Sequence, residues 1–103
     1  MVKLVEFLWF DGCPSHGPAR TLLVETIEAV APGTPIVDID ASDPAMATVM
    51  RFPGSPTLRI DGRDIDPRYA DSGDYSPRCR VFWTDEGMSG VPPRAWIEDA
   101  LRS

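Results

Sequence analysis

The stretch from Val2 to Phe10, V-K-L-V-E-F-L-W-F, is almost continuously apolar and rich in β-branched and aromatic side chains. Such a run reads as a strand buried on both faces of a sheet rather than one with a wet side. The turn D-G-C-P-S-H follows at once. From Pro14 to about Ala31, Ala19, Leu22, Leu23, Ile27 and Val30 then recur at three- and four-residue steps, the period of an amphipathic helix. A doubly buried strand that feeds a helix needs cover on both sheet faces, which confines the chain to α/β architectures. Pro14 suits the first helical turn, where a missing N–H costs nothing, while Gly17 and Pro18 delay a regular helix until after Pro18.

Pro32-Gly33-Thr34-Pro35 ends that helix, and Ile36 to Ala41 reads as a second strand. Ser42 or Asp43 is placed to cap a helix beginning at Pro44, with Met46, Val49, Met50 and Phe52 as its apolar members. Pro53-Gly54-Ser55-Pro56 breaks it before a third strand, Thr57 to Ile60. Asp61-Gly62 is a hairpin-turn signal. Residues Arg63 to Arg78 are polar and aperiodic, a long loop for a compact domain and therefore functional or mobile. Cys79 to Thr84 predicts a fourth strand, and Pro93 opens a last helix carrying Trp96, Ile97 and Leu101. The order β-α-β-α-β-β-α over residues 1–103, without repeat or linker, predicts one domain. Its four-stranded mixed sheet would have the first crossover parallel, the last pair antiparallel, and helices at its flanks.

Composition narrows the function classes. Ten Lys and Arg against sixteen Asp and Glu give a formal charge of −6, which argues against nucleic acid or an anionic membrane as partner. The N-terminal apolar run is interrupted by Glu6 and lacks a small-residue cleavage site, so it predicts a strand rather than a signal peptide. No segment approaches the length of a membrane span, and a cytoplasmic location is the expectation.

The chemistry-bearing stretch is Gly12-Cys13-Pro14-Ser15-His16. A thiol at the start of a helix meets unpaired N–H groups and the positive end of the macrodipole, both of which favour the thiolate. His16, the chain's one histidine, would favour it further when protonated, or accept the thiol proton when neutral. Ser15 offers a hydroxyl in the same turn. Cys13 and His16 supply only two ligands where a structural zinc site needs four, so no metal or other cofactor is expected. Asp11 reads as a turn former. The second cysteine, Cys79, lies far away in sequence. If the third and fourth strands form a plain hairpin, Cys79 starts at the end away from Cys13, beyond the reach of a disulfide. The loop before it is long enough to fold back and restart the strand beside Cys13, so pairing stays open.

In element order the chain resembles the thioredoxin-like superfamily over nearly its whole length, and is similar to small bacterial members with C-P-S-H where a C-x-x-C motif would stand. Two features carry the likeness: Cys13 between the first strand and first helix, and Gly54-Ser55-Pro56-Thr57 in the place of the family's cis-proline loop. The resemblance implies a thiol–disulfide oxidoreductase in which Cys13 attacks a disulfide, with a protein thiol or glutathione as partner. Ser55 and Pro56, with Pro14 and Ser15 beside the thiol, would present the substrate. It also implies a carboxylate near Glu6 as proton acceptor, although the spacing here is one residue longer. The residue that would resolve a mixed disulfide from within the motif is missing. Resolution then falls to an outside thiol, in the monothiol manner, or to Cys79. Some similar chains carry an alkylmercury lyase-like label, which implies carbon–mercury or soft-metal chemistry with two cysteines and a carboxylate such as Asp11. A third possibility is a binding module without catalysis, its polar loop touching the partner.

Overall fold

A computed structural model describes residues 3–103. The elements are β1 (Val5–Trp9), α1 (His16–Val30), β2 (Ile36–Asp40), α2 (Pro44–Val49), β3 (Thr57–Ile60), β4 (Arg63–Asp64), β5 (Phe82–Thr84), β6 (Gly87–Ser89) and α3 (Arg94–Arg102). Of the predicted first strand, Val2 lies outside the described residues.

The main sheet is mixed and four-stranded, in the order β2-β1-β3-β4. β1 runs parallel to β2, with Val5 opposite Ile36 and Trp9 opposite Asp40. It runs antiparallel to β3, with Val5 opposite Ile60 and Leu8 opposite Thr57. A strand flanked on both sides must be apolar on both faces, and Val5, Phe7 and Leu8 are each fully buried. Strand alternation divides them. Val5 and Phe7 join Leu58 and Ile60 under the stripes of α1 (Ala19, Leu23, Ile27) and α3 (Ile97, Leu101). Leu8 faces the other way, against Ala47 of α2 and Phe52. The sheet is thus enclosed between α1 with α3 and α2.

Local chemistry explains the element ends. Pro18 is the third residue of α1, where an N–H has no intrahelical partner to lose. Pro14 lies before the helix rather than in its first turn, because α1 begins at His16. α2 starts as expected: Asp43 caps it by accepting from the Ala45 N–H at 2.8 Å, with Pro44 first in the helix. Its apolar face departs from expectation. Met46 and Val49 are exposed and Ala47 is buried in their stead, while Phe52 is buried and Met50 packs against the same cluster, as expected of both. A six-residue helix makes too few turns for its period to be read from sequence.

The fourth strand is a correction. Arg63–Asp64, not Cys79–Thr84, completes the main sheet. Asp61 and Gly62 both take positive φ (53° and 81°), the pair of left-handed residues a tight hairpin demands, so the chain reverses at once into β4. Phe82–Thr84 instead pairs with Gly87–Ser89 in a separate two-stranded ribbon. The residues between Asp66 and Arg78 carry ion pairs at the surface. Arg51 pairs with Asp71 and Arg78 with Asp74. The Asp71 carboxyl falls to about 2, because it accepts from the Tyr75 hydroxyl and the Gly73 N–H and lies beside Arg51. Among the described residues, no helix is long and apolar enough to cross a membrane.

Candidate functional site

Cys13 closes the turn after β1, its N–H donating to the Phe10 carbonyl at 3.1 Å. Gly12 makes the turn possible: a Cβ there would stand 2.6 Å from the Phe10 ring. The Cys13 side chain is only 3% exposed, and its thiol donates to the Ser55 carbonyl at 3.4 Å.

Ser55 is where the distant segments meet. Its N–H donates to the Arg78 carbonyl at 2.7 Å, and its carbonyl accepts from the Arg80 N–H at 2.9 Å. These bonds make a parallel bridge between Ser55 and Cys79. The approach is close enough that Gly54 has to be glycine: its φ is 140°, and a Cβ would lie 2.9 Å from that of Arg80. The long loop therefore folds back and sets Cys79 beside Ser55, the residue whose carbonyl accepts from the Cys13 thiol. Both thiols are free, Cys13 buried and Cys79 exposed. The Cys79 thiol is raised above its ordinary value, first by partial desolvation, then by the charge on Cys13 and a hydrogen bond with it.

That direction has two consequences. Folded Cys79 holds its proton to higher pH than the unfolded chain does, so its contribution to stability is present below the ordinary value of 9.0 and lost as pH rises through the raised one. Alkylation of Cys79 by iodoacetamide should keep accelerating with pH above 9.0, and in Cys13→Ser its midpoint should move back toward that value. An unmoved midpoint in the variant would show that the two sulfurs do not interact.

The other expected site residues are arranged differently. His16 stacks on Trp9, ring centres 5.0 Å apart. Among the described residues no hydrogen bond joins it to Cys13, whose proton goes to Ser55 instead. Ser15 is the residue before α1 but makes no side-chain cap. It lies against Gly90, where a Cβ would come within 2.3 Å of its hydroxyl. Pro14 is exposed beside the thiol. Asp11 is exposed, its N–H donating to the Ser42 hydroxyl. Glu6 pairs across the sheet with Arg59 and lines a cavity of about 620 Å³ with Arg51, Tyr69 and Asp71.

The peptide bond between Ser55 and Pro56 is cis. Both residues are buried, however, and the Ser55 backbone edge expected to receive a substrate is occupied by Arg78 and Arg80 of the same chain. The returning loop thus fills the backbone edge on which Ser55 and Pro56 were expected to present a substrate. The Ser55 hydroxyl has no partner among the described residues. A buried hydroxyl left unpaired costs about 1–3 kcal/mol. Ser55→Ala should therefore raise stability by about 1 kcal/mol in urea denaturation; a loss of that size would mean the hydroxyl is bonded in solution.

Sequence reasoning missed Arg80 and Asp64, which hold the return segment. Arg80 donates to both Asp64 carboxylate oxygens, at 2.7 and 2.9 Å, and to the Thr57 hydroxyl at 3.2 Å. The pair is 8% and 3% exposed, and the guanidinium also lies 4.5 Å from the Phe82 ring centre. One signal was present in C-R-V-F-W-T: strand alternation puts Arg80 on the face of Phe82, the buried one. A buried arginine requires a carboxylate partner.

No protein-family model, curated protein or solved structure matches this chain.

Proposed function

We propose that the protein is a thioredoxin-like thiol–disulfide oxidoreductase whose working unit is the pair Cys13 and Cys79. One observation carries this: two free thiols, far apart in sequence, are both brought to Ser55, Cys13 through its thiol and Cys79 through the backbone bridge. A mixed disulfide on either sulfur would have a second thiol at hand to release it, which is the part missing from C-P-S-H. Further support comes from Cys13 in the turn between β1 and α1, and from the order strand, helix, strand, helix, hairpin, with α3 closing the chain after the added β5–β6 ribbon.

Treatment with one equivalent of a small disulfide should convert the reduced protein to an intramolecular Cys13–Cys79 disulfide. Both free thiols should vanish, and no reagent mass should remain. Retention of reagent on one cysteine while the other stays free would sink the dithiol mechanism and leave a monothiol one with glutathione.

The same convergence favours a second reading, a two-sulfur site for a soft cation, since thiolates select such ions. The carbon–mercury form of that chemistry also needs an acid. The candidate for it, Asp11, is exposed beside Ser42. Titration with mercuric ion separates the two readings: binding of one ion without any turnover of disulfides would favour the metal.

A further inference from the structure

We propose that Cys79, not Cys13, is the thiol that attacks the substrate disulfide, and that Cys13 resolves the resulting mixed disulfide; this rests on the thiol–disulfide reading above. The roles are thus the reverse of those expected from the C-P-S-H stretch.

Access is the first ground. Cys13 is 3% exposed whereas Cys79 is exposed. Attack on a disulfide requires a substrate sulfur to reach the thiolate, and the substrate brings the bulk of a second sulfur and its chain with it. Cys13 has no room for that.

The second ground is the route. A substrate approaching Cys13 along the Ser55 backbone would need the N–H and C=O that Arg78 and Arg80 already use. The segment that blocks this path is the one that carries Cys79. It therefore stands between Cys13 and an incoming chain, and offers its own thiol.

The third ground is the surface beside each sulfur. Next to Cys79 the chain alternates, with Val81 51% and Trp83 63% exposed while Phe82 is buried. Met88, opposite Trp83 in the ribbon, is 65% exposed. An arriving disulfide meets open apolar surface next to Cys79. Beside Cys13 the large apolar rings are half-buried: Phe10 lies against Gly12, and Trp9 stacks with His16.

One effect opposes this order. The raised Cys79 thiol leaves less thiolate at neutral pH. Intrinsic thiolate nucleophilicity rises with basicity with a slope of about 0.4–0.5, so roughly half of that loss is recovered. Exclusion of a substrate from a buried sulfur has no such compensation.

The steps balance. The Cys79 thiolate attacks one sulfur of R–S–S–R, forming Cys79–S–S–R and expelling RS⁻. The expelled thiolate takes the Cys13 proton and leaves as RSH. Cys13 Sγ then attacks Cys79 Sγ, forming the Cys13–Cys79 disulfide and expelling the second RS⁻, which takes a proton from water. The substrate gains two electrons and the protein loses two; an external dithiol returns them and leaves as its own disulfide.

The test uses the aromatic disulfide dithiobis(nitrobenzoate) on wild type, Cys13→Ser and Cys79→Ser. Wild type should release two thionitrobenzoates and keep none. Cys13→Ser should release one and retain one on Cys79. Cys79→Ser should react at least about tenfold more slowly than Cys13→Ser, the mark of a shielded thiol. An adduct forming on Cys13 as fast as on Cys79 overturns the order of attack but leaves the dithiol reading intact. Wild type that retains two adducts overturns both. Should a variant fail to fold, brief iodoacetamide labelling of the wild type with peptide mapping answers the same question: Cys79 labelled first supports the order, and Cys13 labelled first overturns it.

Discussion

Replacing either Cys13 or Cys79 with serine should lower turnover of a small disulfide, with a dithiol as reductant, by at least about a hundredfold, because a serine hydroxyl neither ionises near neutral pH nor forms the mixed disulfide. The two losses should be of similar size, since in the proposed mechanism each sulfur serves one half of the same exchange, and the double variant should be little worse than either single one. Folding is expected to survive both changes. At Cys13 a serine hydroxyl can still donate to the Ser55 carbonyl, as the thiol does. At the exposed Cys79 the bridge to Ser55 is made by backbone atoms. Steady-state consumption of a small disulfide, with circular dichroism as the control for fold, decides it. Full activity in Cys79→Ser with a dithiol reductant would exclude a role for the second thiol.

Arg80→Leu should destabilise the protein by about 3–5 kcal/mol, the cost of leaving a buried charge without its partner. Asp64 is 3% exposed and would keep its carboxylate there with neither guanidinium bond. The same change removes the bond to Thr57 and the cation packed on the Phe82 ring. Against a total stability of about 5–15 kcal/mol for a domain of this kind, that is a large fraction. Pairing Arg80→Leu with Asp64→Leu should recover much of the loss, since apolar groups of similar volume often replace a buried ion pair at little net cost. Urea denaturation of the two singles and the double gives the comparison; a double variant as unstable as the sum of the singles would contradict it. Function should follow stability. Arg80 directly follows Cys79 and its N–H holds the Ser55 carbonyl, so Arg80→Leu should also slow formation of the Cys13–Cys79 disulfide in protein that remains folded.

Most of the main sheet could be read from short stretches. Val5, Phe7 and Leu8 announce a strand buried on both faces, and Ala19, Leu23 and Ile27 mark the helix that covers one of them. Asp43 before Pro44 marked the start of α2. Asp61-Gly62 marked a hairpin, but its second strand is two residues of polar side chain, Arg63 and Asp64, with no periodicity to show itself. The ribbon strand Gly87–Ser89 was equally silent, for a glycine, a methionine and a serine carry no strand signal.

The site divides along the same line. Cys13 was legible because its place between a strand and a helix follows from local pattern. His16 looked like a partner of Cys13 by spacing, yet its ring finds Trp9. Ser55 and Pro56 were identified as site residues, but the open edge expected of them is filled by Arg78 and Arg80. No local signal could have shown this, because the filling segment comes from more than twenty residues further along.

By itself the sequence determined an α/β domain built on one buried strand, and a thiol at the end of that strand. Those follow from side-chain periodicity and turn chemistry, which act over a few residues. The tertiary structure alone decided that Cys79 would come to Ser55, to which that thiol donates, and would be exposed there. Its position depends on Arg80 finding Asp64, on Gly54 admitting the chain, and on Ser55 bonding Arg78 and Arg80, all of which form only when the fold has brought distant segments together.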